Sequence, residues 1–241
     1  VDPEHWYRAD DAYEENTRVT ACSDDGDVVG SWTDKTGNAD HVSQGTTANK
    51  PTWQDAELNG EPVLRFDGSN DYLKGAFTTG GTVSQPLTII VVAKLDASAV
   101  NDGVQRNILN GDDVTHQVTI CKASFPNPDA WNIFAGIDLN GGAADSNWNI
   151  WMALANGASS QLWQNGVTEA GPGNAGSHDL DGLTVGSTWT TTQYWKGDIA
   201  EIIIYGSALS EADRDEIGAY LEDRYGISYS GSSPSDSPSL S

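Results

Sequence analysis

The chain has 241 residues, with 12 Lys and Arg against 35 Asp and Glu, a formal charge of −23 at pH 7, and only six lysines. A surface this acidic repels DNA, RNA and anionic lipid, so nucleic acid and membrane surfaces are excluded as partners at ordinary salt. Two media suit such a surface: concentrated salt, where screening removes self-repulsion, and a divalent-rich one, where cations bridge the acids. The salt-adapted reading, a halophilic or marine setting, is favoured by compositional analogy. The length fits a single β-sandwich domain. No run approaches the roughly 20 apolar residues that span a bilayer as a helix, so no membrane insertion is expected. The chain starts at Val1, its one methionine is Met152, and the expectation is a processed product or an excised domain.

From Trp6 to Ile227 the chain consists of short apolar runs separated by Gly, Asn and Asp clusters. In order they are "DVVGSW", "PVLRF", "LTIIVVAKL", "HQVTICKA", "WNIFAGIDL", "WNIWMALA", "SQLWQNGV", "DGLTVGS" and "DIAEIIIY". This spacing predicts an all-β, two-sheet antiparallel sandwich rather than βαβ units. One segment, "SALSEADRDEIGAYLEDRYGI", reads as a helix. Ser210 is placed as its N-cap, with Glu211 and Asp213 in the first turn and Gly226 as the C-terminal stop. Ile217, Tyr220, Leu221 and Arg224 recur at helical spacing and define its expected inner face. The tail "SYSGSSPSDSPSLS" has too little apolar surface to offset its ordering entropy. The domain is therefore drawn as 1–227, with 228–241 as a Ser/Pro-rich linker or disordered end.

The cysteines Cys22 and Cys121 stand in no C-x-x-C pair and no zinc spacing. A disulfide between them would close a loop of about 100 residues and add about 4 to 5 kcal/mol on the chain-entropy model. Two buried free thiols are the alternative. The carboxylates Asp198 and Glu201 flank the last apolar run. With regular period-two alternation they face opposite sides of the sheet and cannot share a cleft, as the paired acids of a glycosidase must. A bulge would change that, but nothing in the run calls for one. Glu201 is expected to be an internal acid paired to a backbone group, an Arg or a hydroxyl.

"FDGSNDYL" (66–73), "LWQNGV" (162–167) and "GDIAEIIIYGSALSEAD" (197–213) together resemble the signatures of laminin G-like, concanavalin A-like jelly rolls, the lectin and glucanase superfamily. The resemblance covers nearly the whole chain from Trp6 and implies a jelly roll closed by one short C-terminal helix. Functionally it implies less, because such domains include lectins, adhesion domains, pentraxins and non-catalytic modules attached to enzymes, viral proteins or cell-surface proteins. The related glucanases carry a Glu-x-Asp-x-(x)-Glu strand, which is missing here, and the four histidines lie in no nucleophile signature. No catalytic residue is assigned. Pentraxin-like calcium ligands would fall in "STWTTTQYW" (187–195), which has no acid. Other oxygen-rich stretches could hold calcium: Asp24, Asp25 and Asp27; Asp67, Asn70 and Asp71; and, preferred among them, Asp138, Asn140 and Asp145. Asx-turn chemistry is the competing account for each.

Nine tryptophans exceed the needs of a sandwich core. In "WNIWMALA", Ile150, Met152 and Leu154 are taken as core, with Asn149 and Trp151 outward. In "SQLWQNGV", Leu162 is inward and Trp163 outward. A hairpin through "NGASS" would set Trp151 beside Trp163, with Asn149, Gln161 and Asn165 near them. Indole faces stack on the CH side of pyranoses while amides bind hydroxyls. Trp131, Trp148, Trp189, Tyr194 and Trp195 fall at strand ends or loops, where a rim would recognise ligand. The expectation is a non-catalytic, extracellular module of a cell or virion surface that binds a glycan or glycoprotein. A structural or capsid-attached protein that contacts other protein subunits is one alternative. A glycan hydrolase or lyase with a non-standard site is another.

Overall fold

The computed structural model describes residues 1–123 and 129–231. Residues 232–241, most of the expected tail, lie outside the described residues. The strands are β1 (His5–Tyr13), β2 (Ser31–Asp34), β3 (Val42–Ser43), β4 (Thr52–Leu58), β5 (Glu61–Asp67), β6 (Leu73–Ala76), β7 (Leu87–Leu95) and β8 (Arg106–Asn110). They continue with β9 (Thr119–Lys122), β10 (Ala130–Phe134), β11 (Asp138–Ala143), β12 (Trp148–Ala155), β13 (Ser160–Gln164), β14 (Val167–Gly173), β15 (Gly182–Val185) and β16 (Lys196–Tyr205). One helix, α1 (Glu211–Tyr225), follows. The pairings between these strands are antiparallel, along the path β11-β10-β9-β8-β15-β6-β3-β2-β1-β16-β7-β12-β13-β14. β11 and β14, the two ends of this path, come together, so the sheet rolls into a jelly-roll-like sandwich.

The middle strands are apolar on both faces, and each face has a separate cover. One face of β7, β12 and β16 (Ile89, Val91, Trp151, Ala153, Ile199, Ile202 and Ile204) packs into the core between the sheets. The other (Ile90, Val92, Ile150, Met152, Ala200, Ile203 and Tyr205) packs with Leu221 and Tyr225 of α1. β-Branched runs suit such doubly covered strands.

Ser210 caps α1 through a reciprocal capping box with Asp213, and Gly226 ends it in the left-handed region at φ 67°. The buried face of α1 is Gly218, Leu221 and Tyr225, whereas Tyr220 stays 37% exposed. This departs from the expected stripe because Gly218 receives the ring of Tyr229: a Cβ there would meet Tyr229 Cε1 at 2.3 Å. Residues 228–231 stay against the body, with Ser230 N–H donating to the Asn165 carbonyl at 2.8 Å.

β16 contains the irregularity that regular alternation leaves out. Its first half pairs with β5, from Lys196↔Asp67 to Ile199↔Leu64; its second half pairs with β1, from Glu201↔Arg8 to Ile204↔His5. At this exchange of neighbours the register against β7 shifts between Ile199 and Glu201. Ala200 and the Glu201 carboxylate consequently both turn toward the helix layer, which corrects the expected strict alternation. The two acids still share no cleft. Asp198 is held by Arg65, with Nε to Oδ1 at 2.7 Å and Nη2 to Oδ2 at 3.0 Å. Glu201 is 1% exposed and accepts from Trp6 Nε1 at 2.6 Å, Tyr225 OH at 2.6 Å and Tyr220 OH at 3.1 Å. Burial raises its carboxyl above the usual range, and these donors oppose the rise.

Glu201→Ala leaves three donors without their acceptor and should cost about 2 to 4 kcal/mol, while Glu201→Gln should stay within about 1 kcal/mol of wild type at pH 7. A carboxyl raised in the fold makes the native state bind more protons than the unfolded one. Wild type should therefore gain stability relative to E201Q as pH falls through the raised value. Urea melts of the three proteins between pH 5 and 8 check both outcomes, and equal losses for Ala and Gln would refute this account of the network.

Candidate functional site

The β12–β13 hairpin carries most of the sequence-selected aromatic and amide residues, and its register sorts them. Met152 stands opposite Trp163, and Trp151 opposite Gln164. Directly opposed residues share a face, so Trp163 lies with Met152 in the helix-side layer and Trp151 points into the inter-sheet core. The shared outward platform of Trp151 and Trp163 is thereby corrected. Trp151 is 0% exposed, and Ile150 and Met152 face the helix layer instead of the main core. The alternation within each strand was assigned correctly, but both faces of β12 are covered, so apolar content could not tell which one is the inter-sheet face.

Trp131 and Trp195 likewise leave the rim for the interior. They are 1% and 0% exposed, and the Trp131 ring centroid lies 4.4 Å from that of Trp151 and 6.3 Å from that of Trp195. Trp163 is buried beneath the Arg214 guanidinium, 4.3 Å from its ring centroid. Gln161 lies beside it and donates to Thr168 Oγ1 at 3.0 Å. Trp189 and Tyr194 are half-buried in the loop before β16, where Tyr194 OH donates to the Thr191 carbonyl. They stand apart from the hairpin cleft.

The hairpin's open end does form a cleft, of about 610 Å³, in which Asp145, Trp148, Asn149, Gln164 and Asn165 meet residues near the end of α1. Asp145 Oδ1 accepts from Asn147 N–H at 2.7 Å and Asn149 Nδ2 at 3.1 Å, and its Oδ2 accepts from Gln164 Nε2 at 2.9 Å. Asn165 Nδ2 donates to Asn149 Oδ1 at 2.8 Å, while Asn165 Oδ1 accepts from Ile150 N–H at 2.8 Å. Asn165 has φ 51°, a conformation that asparagine tolerates in a two-residue turn with Gly166. This chain of bonds fixes the amide orientations in advance. The half-buried Trp148 ring borders the cleft, with Lys94 Nζ 5.8 Å from its centroid. The floor is thus a carboxylate and three carboxamides beside one indole, a polar surface suited to hydroxyl-rich ligands.

The preferred calcium residues bond to different groups. Asn140 Oδ1 accepts from Asn132 Nδ2 at 3.0 Å, Asp145 is engaged as described, and Asp138 is exposed on β11. The other two stretches form turns. Asp27 Oδ2 accepts from the Ser23 and Asp24 N–H groups, and Asp67 Oδ1 from Ser69 and Asn70. The bridge considered between Cys22 and Cys121 is not formed: both are free. Cys121 Sγ in β9 faces Asn132 and Gln105, whereas Cys22 follows the bridge of Ala21 to the end of β1. Burial pushes each thiol up to about 12.

No family model matches the chain, and no curated protein matches it. Among solved structures the chain is similar to the botulinum neurotoxin serotype D ligand-binding domain in complex with N-acetylneuraminic acid. The two are 12% identical over 88% of this chain and 52% of that one, with a TM-score of 0.60. It is also similar to the receptor-binding domain of the botulinum neurotoxin mosaic serotype C/D (10% identity, 90% and 50% coverage, TM-score 0.60). A third similar structure is domain 4 of AbnA, a GH43 extracellular arabinanase from Geobacillus stearothermophilus, in complex with arabinotriose (14% identity, 77% and 92% coverage, TM-score 0.55). The chain spans about half the length of the toxin domains and most of the arabinanase domain. Likeness at these identities establishes the sandwich fold.

Trp151→Ala should act on the fold, because it empties the centre of the aromatic cluster. The expected loss is about 3 to 5 kcal/mol in a urea melt. Unchanged stability in that variant would show that the ring is not part of the core.

Proposed function

We propose that the protein is a non-catalytic, glycan-binding module of the laminin G-like, concanavalin A-like type, and that its ligand lies in the hairpin cleft. The carrying observation is the preset array of Asp145, Asn149, Gln164 and Asn165 beside the Trp148 ring. Carboxylate and carboxamide groups held by one another offer donors and acceptors at fixed angles, and an indole bordering them supplies the apolar face that a pyranose or furanose CH surface needs. The similar structures that contain N-acetylneuraminic acid and arabinotriose support the same class of ligand. A non-catalytic role is supported by the two acids of β16, one neutralised by Arg65 and the other enclosed by Trp6, Tyr220 and Tyr225. The acidic surface supports a site of action outside the cell, on a cell or virion in salt-rich surroundings.

A second reading, contact with other protein subunits, draws on a different surface. It is an apolar hollow of about 300 Å³ between α1 and the β1–β16 pair, lined by Trp6, Ile203, Tyr205, Ile217 and Tyr220. Sugar binding without self-association favours the first reading; concentration-dependent mass with no sugar bound favours the second.

A glycan array at low and at multimolar salt, followed by titration of the best sugar, tests the cleft. Trp148→Ala should weaken binding about tenfold, equivalent to about 1.4 kcal/mol, with the melting curve little changed. Full affinity in this variant would place the ligand elsewhere.

A further inference from the structure

The four histidines fall in no catalytic pattern, yet one of them stands within a ring of carboxylates. His116 lies in the loop between β8 and β9, together with Asp112 and Asp113; Asp179 and Asp181 come from the segment that leads into β15. His116 Nδ1 is 2.9 Å from Asp113 Oδ2 and 3.1 Å from Asp181 Oδ2, and its Nε2 is 3.5 Å from Asp179 Oδ1. We propose that Asp113, His116 and Asp181 form a site for one divalent transition-metal ion of the zinc or manganese kind, with Asp112 and Asp179 as surrounding carboxylates.

Three observations carry the inference. The first is the donor geometry. Among the described residues, only Asp113, His116 and Asp181 form a group of three or more His, Cys, Asp or Glu whose ligand atoms all lie within 4.8 Å of one another. Bonds of about 2.1 Å put neighbouring donors about 3.0 Å apart around an octahedral ion and about 3.4 Å apart around a tetrahedral one, and the two Nδ1 to Oδ2 separations of 2.9 and 3.1 Å lie near this range. A proton on Nδ1 bonds Asp113 Oδ2 at 2.9 Å and can reach Asp181 Oδ2, at 3.1 Å, only by sharing one N–H between two carboxylates, whereas a metal ion bonds each donor separately. The second is a shortage of donors. Asp112 and Asp181 interact directly through their side chains, and Oδ1 of each is buried without a hydrogen-bond partner. Two facing carboxylates repel unless a proton or a cation lies between them, and His116 meets Asp181 at Oδ2, leaving its Oδ1 and that of Asp112 without a partner. The nearby ammonium of Lys74 is directed to the Asp112 and Trp189 carbonyls, at 2.8 and 3.2 Å.

The third observation is that the backbone is kept clear of side chains around the group. A Cβ at Gly182 would lie 2.6 Å from the Asp112 carboxylate, and one at Gly111 only 1.5 Å from the His116 carbonyl oxygen. Gly111 lets the β8–β9 loop fold tightly on itself, and Gly182 lets that loop close on the segment leading into β15. The carboxylates are also tied down: Asp113 Oδ1 accepts from the Thr115 N–H at 2.7 Å and the His116 N–H at 3.0 Å. The imidazole and the Asp181 side chain are each about one-third exposed, at 31% and 30%, so an ion can reach them from solvent. The donor set selects the metal. An imidazole nitrogen with carboxylates suits zinc or manganese, whereas calcium takes six to eight oxygens.

The test uses the full chain, stripped with a chelator and titrated calorimetrically at pH 7.5 with zinc, manganese and calcium in separate runs. One equivalent of zinc or manganese is expected to bind in the micromolar range, at least tenfold tighter than calcium, and to raise the melting temperature. His116→Ala and Asp181→Asn should each weaken binding at least 30-fold while keeping the circular dichroism of the metal-free protein. Manganese should broaden the His116 ring resonances selectively. No stoichiometric binding, binding indifferent to both substitutions, or calcium bound as tightly as zinc would overturn the proposal. Should one variant fail to fold, the other and the ring broadening decide the question.

Discussion

The structure depends on covering both faces of its middle strands. β7, β12 and β16 present isoleucine, valine, methionine or tryptophan to each side, and a sheet like this is stable only between two apolar layers. The rolled sheet supplies one layer and α1 the other. Other features follow from that need. The helix must have a capped start and a stop, so that it lies across the sheet at a fixed length. Glu201 must be internal because it lies under the helix, and its carboxylate then becomes the polar link joining β16, β1 and α1 through the side chains of Trp6, Tyr220 and Tyr225.

The exchange of partners along β16 explains the bulge. One edge of a single strand cannot pair with β5 and β1 in unbroken register unless those strands happen to be in phase, and the extra residue at Ala200 absorbs the mismatch. The consequence is chemical as well as geometric. With regular alternation from Ile199, Glu201 would project toward the inter-sheet core, away from the Trp6, Tyr220 and Tyr225 donors that hold it.

Much of the architecture was legible in the sequence, because turn clusters and capping signals are local. Ser210, Asp213 and Gly226 mark the ends of α1 within a few residues, and the short β-rich runs correspond to strands. What stayed hidden is non-local. Period two divides β12 into Asn149 and Trp151 on one side and Ile150 and Met152 on the other, but only the helix layer reveals which side lies between the sheets. The aromatic count misled for the same reason: Trp131, Trp151 and Trp195 gather from three distant segments into one internal cluster. Asn149 and Asn165 were legible as amides beside the expected tryptophan platform and Asp145 as a calcium candidate, yet their mutual hydrogen bonds, and the part played by Gln164, required the register of the hairpin. The His116 group had a faint signal, "DDVTH" followed much later by "HDLD", but nothing in either run says that the two loops meet.

The excess of acid has a spatial logic that links the fold to its surface. The few cations are largely committed inside the structure. Arg65 holds Asp198, Arg106 and Lys122 hold Asp102, and Arg224 holds Glu61 and Asp10. Lys122 has a fully buried side chain and bridges Asp102 to Asp129. Arginine and lysine thus neutralise carboxylates of strands, helix and loops alike, and 12 of them are too few for 35 acids. A loop carboxylate can be satisfied by backbone N–H groups, as Asp27, Asp67 and Asp113 are, or else by a cation from solution. Where two such loops close on each other, as they do around His116, backbone donors run out before the carboxylate oxygens do, and the remaining charge must be met by a proton or a metal ion. The hairpin cleft meets the same constraint differently: Asp145 is surrounded by carboxamides, which satisfy a carboxylate without adding charge and leave a neutral-donor surface for a hydroxylated ligand. The two ends of the hydrogen-bonding economy, carboxamides at one rim and crowded carboxylates at the other, therefore follow from one shortage of cations.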